Sequence, residues 1–266
     1  MIYYLISPNY INVVTFASII FAFAITCLAI YMGKNILPRD GGRAYAINGS
    51  KSVGKPRGAG IIFILVFTIT CMIFVNLSSE IIIYLILVLA AMLSGYLDDA
   101  SSSPWGELKK GIIDFVIAVM AAVTYLHYNP NTFDISLFKL TVTLNPIIYG
   151  VLIVILIWVS INVTNCSDGV DGLCGTLSAI FIAFAFLKLH SPLLYIPLAI
   201  VLIIDGGLGL IKVSFMRFLH IKIMQNIRTP IHDHMRKNKS WSDAQVVFRF
   251  AIIQLVIAAA IIYAVI

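Results

Sequence analysis

Eight apolar runs constrain this chain more than any other feature: about Ile11–Met32, Ala59–Leu77, Ile81–Leu97, Gly111–Leu126, Ile147–Ile161, Leu173–Leu187, Pro192–Ile204 and Val246–Ile266. With 61% hydrophobic and 11% charged residues, a soluble domain of 266 residues could not bury so much apolar surface. A bilayer accepts it without penalty. The expected fold is therefore all-α: a polytopic integral membrane protein forming a single transmembrane domain over residues 1–266. Several runs fall short of the ~20 residues a span needs, so their limits are set only to within several residues. The first run has no basic segment before it and is long enough to cross, so it reads as a span rather than a secretory signal.

Charge supplies the orientation. Lys34, Arg39, Arg43, Lys51, Lys55 and Arg57 lie between the first two runs, and Lys109 and Lys110 lie between the third and fourth. Lys212, Arg217, Lys222, Arg228, Arg236, Lys237 and Lys239 lie between the last two, with Arg249 just inside the final run. That puts 16 of the 18 Lys and Arg on one face, which the positive-inside rule makes cytoplasmic, with both termini outside. The net charge of +6 expresses this bias and an attraction to anionic headgroups and substrates. It gives no argument for nucleic acid. Cys27 and Cys71 sit inside spans and Cys166 and Cys174 on the reducing side, so no disulfide framework or CxxC metal pattern is present.

Four polar clusters collect on the crowded face. Asn162-Val163-Thr164-Asn165-Cys166-Ser167-Asp168-Gly169-Val170-Asp171-Gly172 sets two amides and two carboxylates at three-residue intervals where a span meets water. Groups of this kind cost several kcal/mol at that depth unless compensated. Three-residue steps drift round a helix, so these side chains cannot share one face. Gly169 and Gly172 suggest that the span frays into a turn around a ligand. Caps and turns also use such residues. Gly95-Tyr96-Leu97-Asp98-Asp99 ends the third run with adjacent carboxylates, which repel unless a divalent cation or an ion pair to Lys109 or Lys110 relieves them. A solvated helix end is the plainer account.

Gly54-Lys55-Pro56-Arg57-Gly58-Ala59-Gly60 could bring backbone and cations close to a phosphate, or be simply a basic juxtamembrane loop. It does not match GxxxxGK[ST]. Pro230-Ile231-His232-Asp233-His234 flanks an acid with two histidines, and metal binding, phosphate recognition, proton transfer and a solvated loop all remain open. Of the lone acids, Asp114 suggests an i,i+4 pair with Lys110, and Asp205 suggests interior pairing or a helix terminus rather than catalysis. Together the clusters suit an anionic, metal-chelated, water-soluble substrate held beside the bilayer for phosphoryl transfer to or from a lipid.

In this order the clusters resemble the polyprenyl-phosphate N-acetylhexosamine-1-phosphate transferase superfamily, and within it the phospho-N-acetylmuramoyl-pentapeptide transferase family. Lys55 to Gly60 loosely resembles that family's TPTMGG loop, and Leu97-Asp98-Asp99 matches its Asp-Asp motif. Gly106 to Lys110 is similar to the GL…K segment, which places Lys110 on the family's active-site lysine. Asn162 to Gly172 is close to NxxNLTDGLDG, and Pro230 to His234 to PIHHH. Trp241-Ser242…Gln245-Val246-Val247…Arg249-Phe250 resembles the segment that follows. The resemblance runs from about Leu37 to the C-terminus.

It implies transfer of phospho-N-acetylmuramoyl-pentapeptide from its UDP-linked form to undecaprenyl phosphate, giving lipid I and UMP, with Mg²⁺ bridging the diphosphate near Asp99. Asp98 would orient or deprotonate the lipid phosphate. Lys110, His232 and His234 would hold phosphate charge, while Lys55, Asn165, Asp168 and Asp171 bind substrate. It also implies a bacterial plasma membrane location with a cytoplasmic active site, nucleoside antibiotics as inhibitors, and a homodimer as a candidate assembly. Three departures stand out. Asp233 replaces the middle histidine, the TPTMGG threonines are absent, and the FMGDxGS segment that carries the family's Mg²⁺-binding Asp is not found. The family has ten spans against eight counted, so a segment is expected to be missing between about Gly175 and Ser191. A UDP-N-acetylglucosamine transferase is the nearest alternative, and a transporter an alternative of another class. Transporters bind substrate deep within discontinuous helices, often in two related halves. The acids here cluster at one face, which disfavours that class.

Overall fold

A computed structural model describes residues 10–41, 53–101, 103, 105–130, 133–137, 140–170, 172–178 and 194–265. They fall in two compact units, Met1–Asn129 and Pro130–Ile266. Most of the described chain is helical, as the apolar runs require.

The first unit holds α1 (Ile11–Gly33), α2 (Gly60–Phe74), α3 (Ser79–Ala100) and α4 (Glu107–Tyr128). α1 packs on α2, α2 on α3 and α3 on α4, so consecutive spans are neighbours. Side chains such as Phe16, Ile20 and Phe23 of α1 are exposed, as expected of a surface facing lipid rather than water. Ser78 caps α3 by accepting the Ile81 N–H at 3.2 Å, which turns the chain sharply after α2.

The second unit opens with a small antiparallel hairpin, β1 (Asp134–Leu137) and β2 (Leu140–Thr143). It continues through α5 (Pro146–Ser167), a one-turn α6 (Tyr195–Leu198), α7 (Ile200–Phe218), α8 (Ile231–Asn238) and α9 (Asp243–Val265). Asn145 caps α5 and Pro146 occupies its first turn, where a missing N–H costs nothing. Ser242 and Gln245 form a reciprocal capping box at the start of α9, with bonds of 3.2 and 3.0 Å. That box accounts for the Trp-Ser-x-x-Gln spacing. The core of this unit joins Val163, Val170, Leu173, Leu177, Leu202, Val246 and Phe250.

Among the described residues five helices are long and apolar enough to cross a membrane, α1, α3, α4, α5 and α9, and α2 is a shorter apolar helix. The seventh run needs correction. It does not end at Ile204: after the break between α6 and α7 the helix carries Asp205 in its interior and continues to Phe218. Lys212 and Arg217 are therefore helical rather than part of a loop. Buried Gln254 of α9 secures the break by accepting the Val201 N–H at 3.0 Å and donating to the Leu198 carbonyl. Residues 173–178 begin a helix at the start of the sixth run. Most of the stretch where a segment is expected to be missing lies outside the described residues.

Candidate active site

In the first unit, the carboxylate pair at the end of α3 is compensated by two cations. Successive helical residues point about 100° apart, so Asp98 and Asp99 find different partners. Asp98 turns toward α4: its Oδ2 lies 2.5 Å from Lys110 Nζ, and its Oδ1 accepts the Trp105 N–H at 2.7 Å. Asp99 turns toward the loop before α2, where Arg57 Nη2 lies 2.5 Å from its Oδ1. All four side chains are partly exposed, between 18% and 32%.

The expected ion pair to Lys109 or Lys110 is thus made by Lys110. Lys109 instead stacks over the Trp105 ring at 3.4 Å. The ammonium of Lys110 lies 2.5 Å from Asp98 on α3, and its charge also acts on Asp114 one turn along its own helix. In the Gly54–Gly60 loop the residue that reaches the acids is Arg57. Lys55 is exposed, and its carbonyl accepts the Asp40 N–H at 2.9 Å. Gly58 has φ +69°, and a Cβ there would lie 3.1 Å from the Tyr96 ring, so the loop needs glycine to lie against α3.

In the second unit, the Asn162–Gly172 ladder stays helical through Ser167 and then turns, with Gly172 at φ +84°. The span does fray into a turn, but only from Asp168. Asn162 bonds back to the Trp158 carbonyl at 2.8 Å, while Asn165 and Asp168 are exposed. Asp171 lies outside the described residues.

The Pro230–His234 segment packs against this turn. His232 is 2% exposed, and a Cβ on Gly169 would collide with its Nε2. Arg236 Nη1 donates to the Gly169 carbonyl at 3.3 Å, and its Nε pairs with Asp243 at 2.7 Å, tying the turn, α8 and α9 together. Two motifs some sixty residues apart therefore form one surface. Asp233 takes neither histidine's role. It sits 3.5 Å from Arg236 and 3.9 Å from Arg228, an acid among cations. His234 is half-buried and accepts the Arg228 N–H on Nδ1 at 3.3 Å.

Asp205 shows interior pairing, as its sequence context suggests. At 1% exposure its Oδ1 accepts the His232 N–H at 2.7 Å, and its Oδ2 lies 2.8 Å from His232 Nδ1. An acid at the end of an apolar run marked it in the sequence, but nothing there named its partner. Arg57 and Gly169 were read only as parts of their clusters, and Arg236 only as one of the loop's charges.

Among the described residues no group of three or more His, Cys, Asp or Glu is placed to hold a metal ion. The donor chemistry nevertheless suits Mg²⁺, which commonly takes one or two carboxylates and completes its shell from water and substrate phosphates. Asp98 and Asp99 are carboxylates of that kind.

A family model described as glycosyl transferase family 4 matches residues 81–226. Phospho-N-acetylmuramoyl-pentapeptide-transferases from two strains of Treponema pallidum are each 31% identical over 290 residues, covering 82% of this chain and 80% of theirs. The Clostridium acetobutylicum protein of the same name is 23% identical over 271 residues, covering 79% and 84%. Fold and comparison together define a multi-pass membrane transferase. The chain belongs to the phospho-N-acetylmuramoyl-pentapeptide transferase family. Each alignment is longer than this 266-residue chain, so the relatives carry residues within the matched stretch that it lacks. That agrees with a missing internal segment.

Proposed function

We propose that the protein transfers phospho-N-acetylmuramoyl-pentapeptide from UDP to undecaprenyl phosphate, producing lipid I and UMP for peptidoglycan synthesis at the cytoplasmic face of a bacterial plasma membrane. The observation that carries the reading is the pairing of Asp98 with Lys110 and of Asp99 with Arg57 at one helix end. Four opposite charges in reach of water are an arrangement that an anionic diphosphate can enter by exchanging partners.

In this reading a lipid phosphate oxygen attacks the β-phosphorus of the sugar nucleotide, its bond to the bridging oxygen breaks, and UMP leaves with the electron pair. Catalysis of such a transfer is mostly positioning and charge neutralisation. Asp98 orients the lipid phosphate or takes its proton. Lys110, released from Asp98, and Arg57, released from Asp99, hold phosphate oxygens. Mg²⁺, held by Asp99, would neutralise the diphosphate. His232 and His234 add contacts to phosphate, while Asn165, Asp168 and Asp171 face the nucleotide.

The test is reconstitution of the purified chain with undecaprenyl phosphate and UDP-N-acetylmuramoyl-pentapeptide, following UMP release and the lipid-linked product. Transfer that stops with EDTA and returns with Mg²⁺ is expected. UDP-N-acetylglucosamine supplied in parallel decides the nearest alternative. Faster transfer from that donor, or from neither, would overturn the reading.

A further inference from the structure

Asp205 is a carboxylate almost without solvent, in the interior of α7. A buried charge of this kind is costly unless fully matched, and here a single residue matches it. Oδ1 takes the backbone N–H of His232 and Oδ2 takes its ring nitrogen Nδ1. A carboxylate only accepts, so the Nδ1 proton points at Asp205 and the exchangeable position of the ring is Nε2. Among the described residues Nε2 has no hydrogen-bond partner; Asp233 Oδ1 lies 3.7 Å from it. It lies against Gly169, where the absence of a side chain leaves it room.

His234 has the opposite polarity. Its Nδ1 accepts the Arg228 N–H, so its proton is on Nε2. The two histidines thus differ in the form each presents, and Asp205 is what makes the difference.

We propose that Asp205 is a positioning residue of the transfer site: it fixes His232 so that Nε2 is held beside Gly169 to meet a phosphate oxygen of the substrate. This rests on the transferase reading above. Asp205 touches no substrate itself and acts through His232. Among the described residues Asp205 from α7 meets the ring at Nδ1 and Asp233 from α8 lies 3.7 Å from Nε2, with Arg236 and Arg228 reaching Asp233 in turn. None of the others lies within hydrogen-bond distance of Nδ1.

Asp205→Asn tests the proposal, because Asn is isosteric and can still accept the backbone N–H. Its amide, however, would donate toward Nδ1 and drive the ring proton to Nε2. Removing an orienting partner of this kind typically costs about 10- to 100-fold in activity. The full chain in detergent is expected to show that fall in kcat with KM for UDP-N-acetylmuramoyl-pentapeptide within about threefold, whereas loss of mere packing would leave kcat per folded molecule unchanged. In a His232→Asn background, which keeps a donor for Asp205 but removes Nε2, Asp205→Asn should have no further effect. An unchanged kcat, or equal losses in both backgrounds, would overturn the proposal. If Asp205→Asn does not fold, His232→Asn alone decides: the pair stays bonded, so near wild-type kcat overturns it and a fall of at least tenfold supports it. A wild-type chain that transfers no phospho-sugar defeats the functional reading instead.

Discussion

The guanidinium of Arg57 lies 2.5 Å from Oδ1 of Asp99, so the carboxylate expected to meet a metal ion is held by a cation from the preceding loop. Both side chains are more than a quarter exposed, and ion pairs in such settings contribute at most about 1 kcal/mol. An arriving diphosphate with Mg²⁺ can therefore open the pair at little cost. Arg57→Ala should fold with a Tm within a few degrees of wild type. Transfer should then reach half its maximum at a lower Mg²⁺ concentration, because Arg57 no longer competes for Asp99, while KM for the sugar nucleotide rises severalfold. An unchanged Mg²⁺ titration would remove Asp99 from the metal's ligands.

Asp98 has a different environment and a different expected phenotype. Its oxygens are divided between Lys110 and the Trp105 N–H, so the carboxylate is oriented from both sides. Asp98→Asn keeps the shape and the acceptor for Trp105 but loses the charge facing Lys110. If Asp98 orients or deprotonates the lipid phosphate, kcat falls by about 10²-fold or more with the protein still folded. Activity within a few-fold of wild type would take Asp98 out of the chemistry.

Gly169 meets His232 where neither can easily move. The ring is anchored through Nδ1 and the backbone, so it cannot retreat from a Cβ placed against Nε2. Gly169→Ala should destabilise the second unit by about 1–3 kcal/mol, the usual cost of overpacking. It should also lower transfer more than its loss of folded protein explains. Thermal unfolding and activity per folded molecule measure the two effects separately.

How much of this was legible in the sequence depended on distance along the chain. Asp98, Asp99 and Lys110 could be read together because repulsion between adjacent acids at a span end demands a nearby cation, and Lys110 lay twelve residues on. Choosing Arg57 over Lys55 depended on how Gly58, at positive φ, turns the loop, which composition does not encode. The helical run was cut at Ile204 because hydropathy breaks at Asp205. Helix hydrogen bonding does not, once that acid is matched by a histidine 27 residues away. The ladder's turn was local and therefore visible in its glycines; the capping box at Ser242 and Gln245 was not read from the sequence, and neither was the packing of His232 on Gly169.

The contact of α5 with α7 yields a prediction with opposite outcomes at neighbouring residues. Both Gly206 and Gly207 are buried, but a Cβ on Gly206 would strike the Val163 carbonyl of α5 and crowd Ser167 Oγ at 2.8 Å. The obstacle is backbone, so the helices themselves must separate. On Gly207 the same atom would rest 3.8 Å from Ile203 and Val163, an ordinary contact. Small residues of this sort let membrane helices approach closely. Gly206→Ala should cost about 1–3 kcal/mol, lowering Tm in detergent by roughly 2–4 °C for each kcal/mol. Gly207→Ala should be neutral or stabilise by up to about 1 kcal/mol, since alanine is the better helix former. Equal behaviour of the two variants in thermal unfolding would show that α5 does not sit on Gly206 as described.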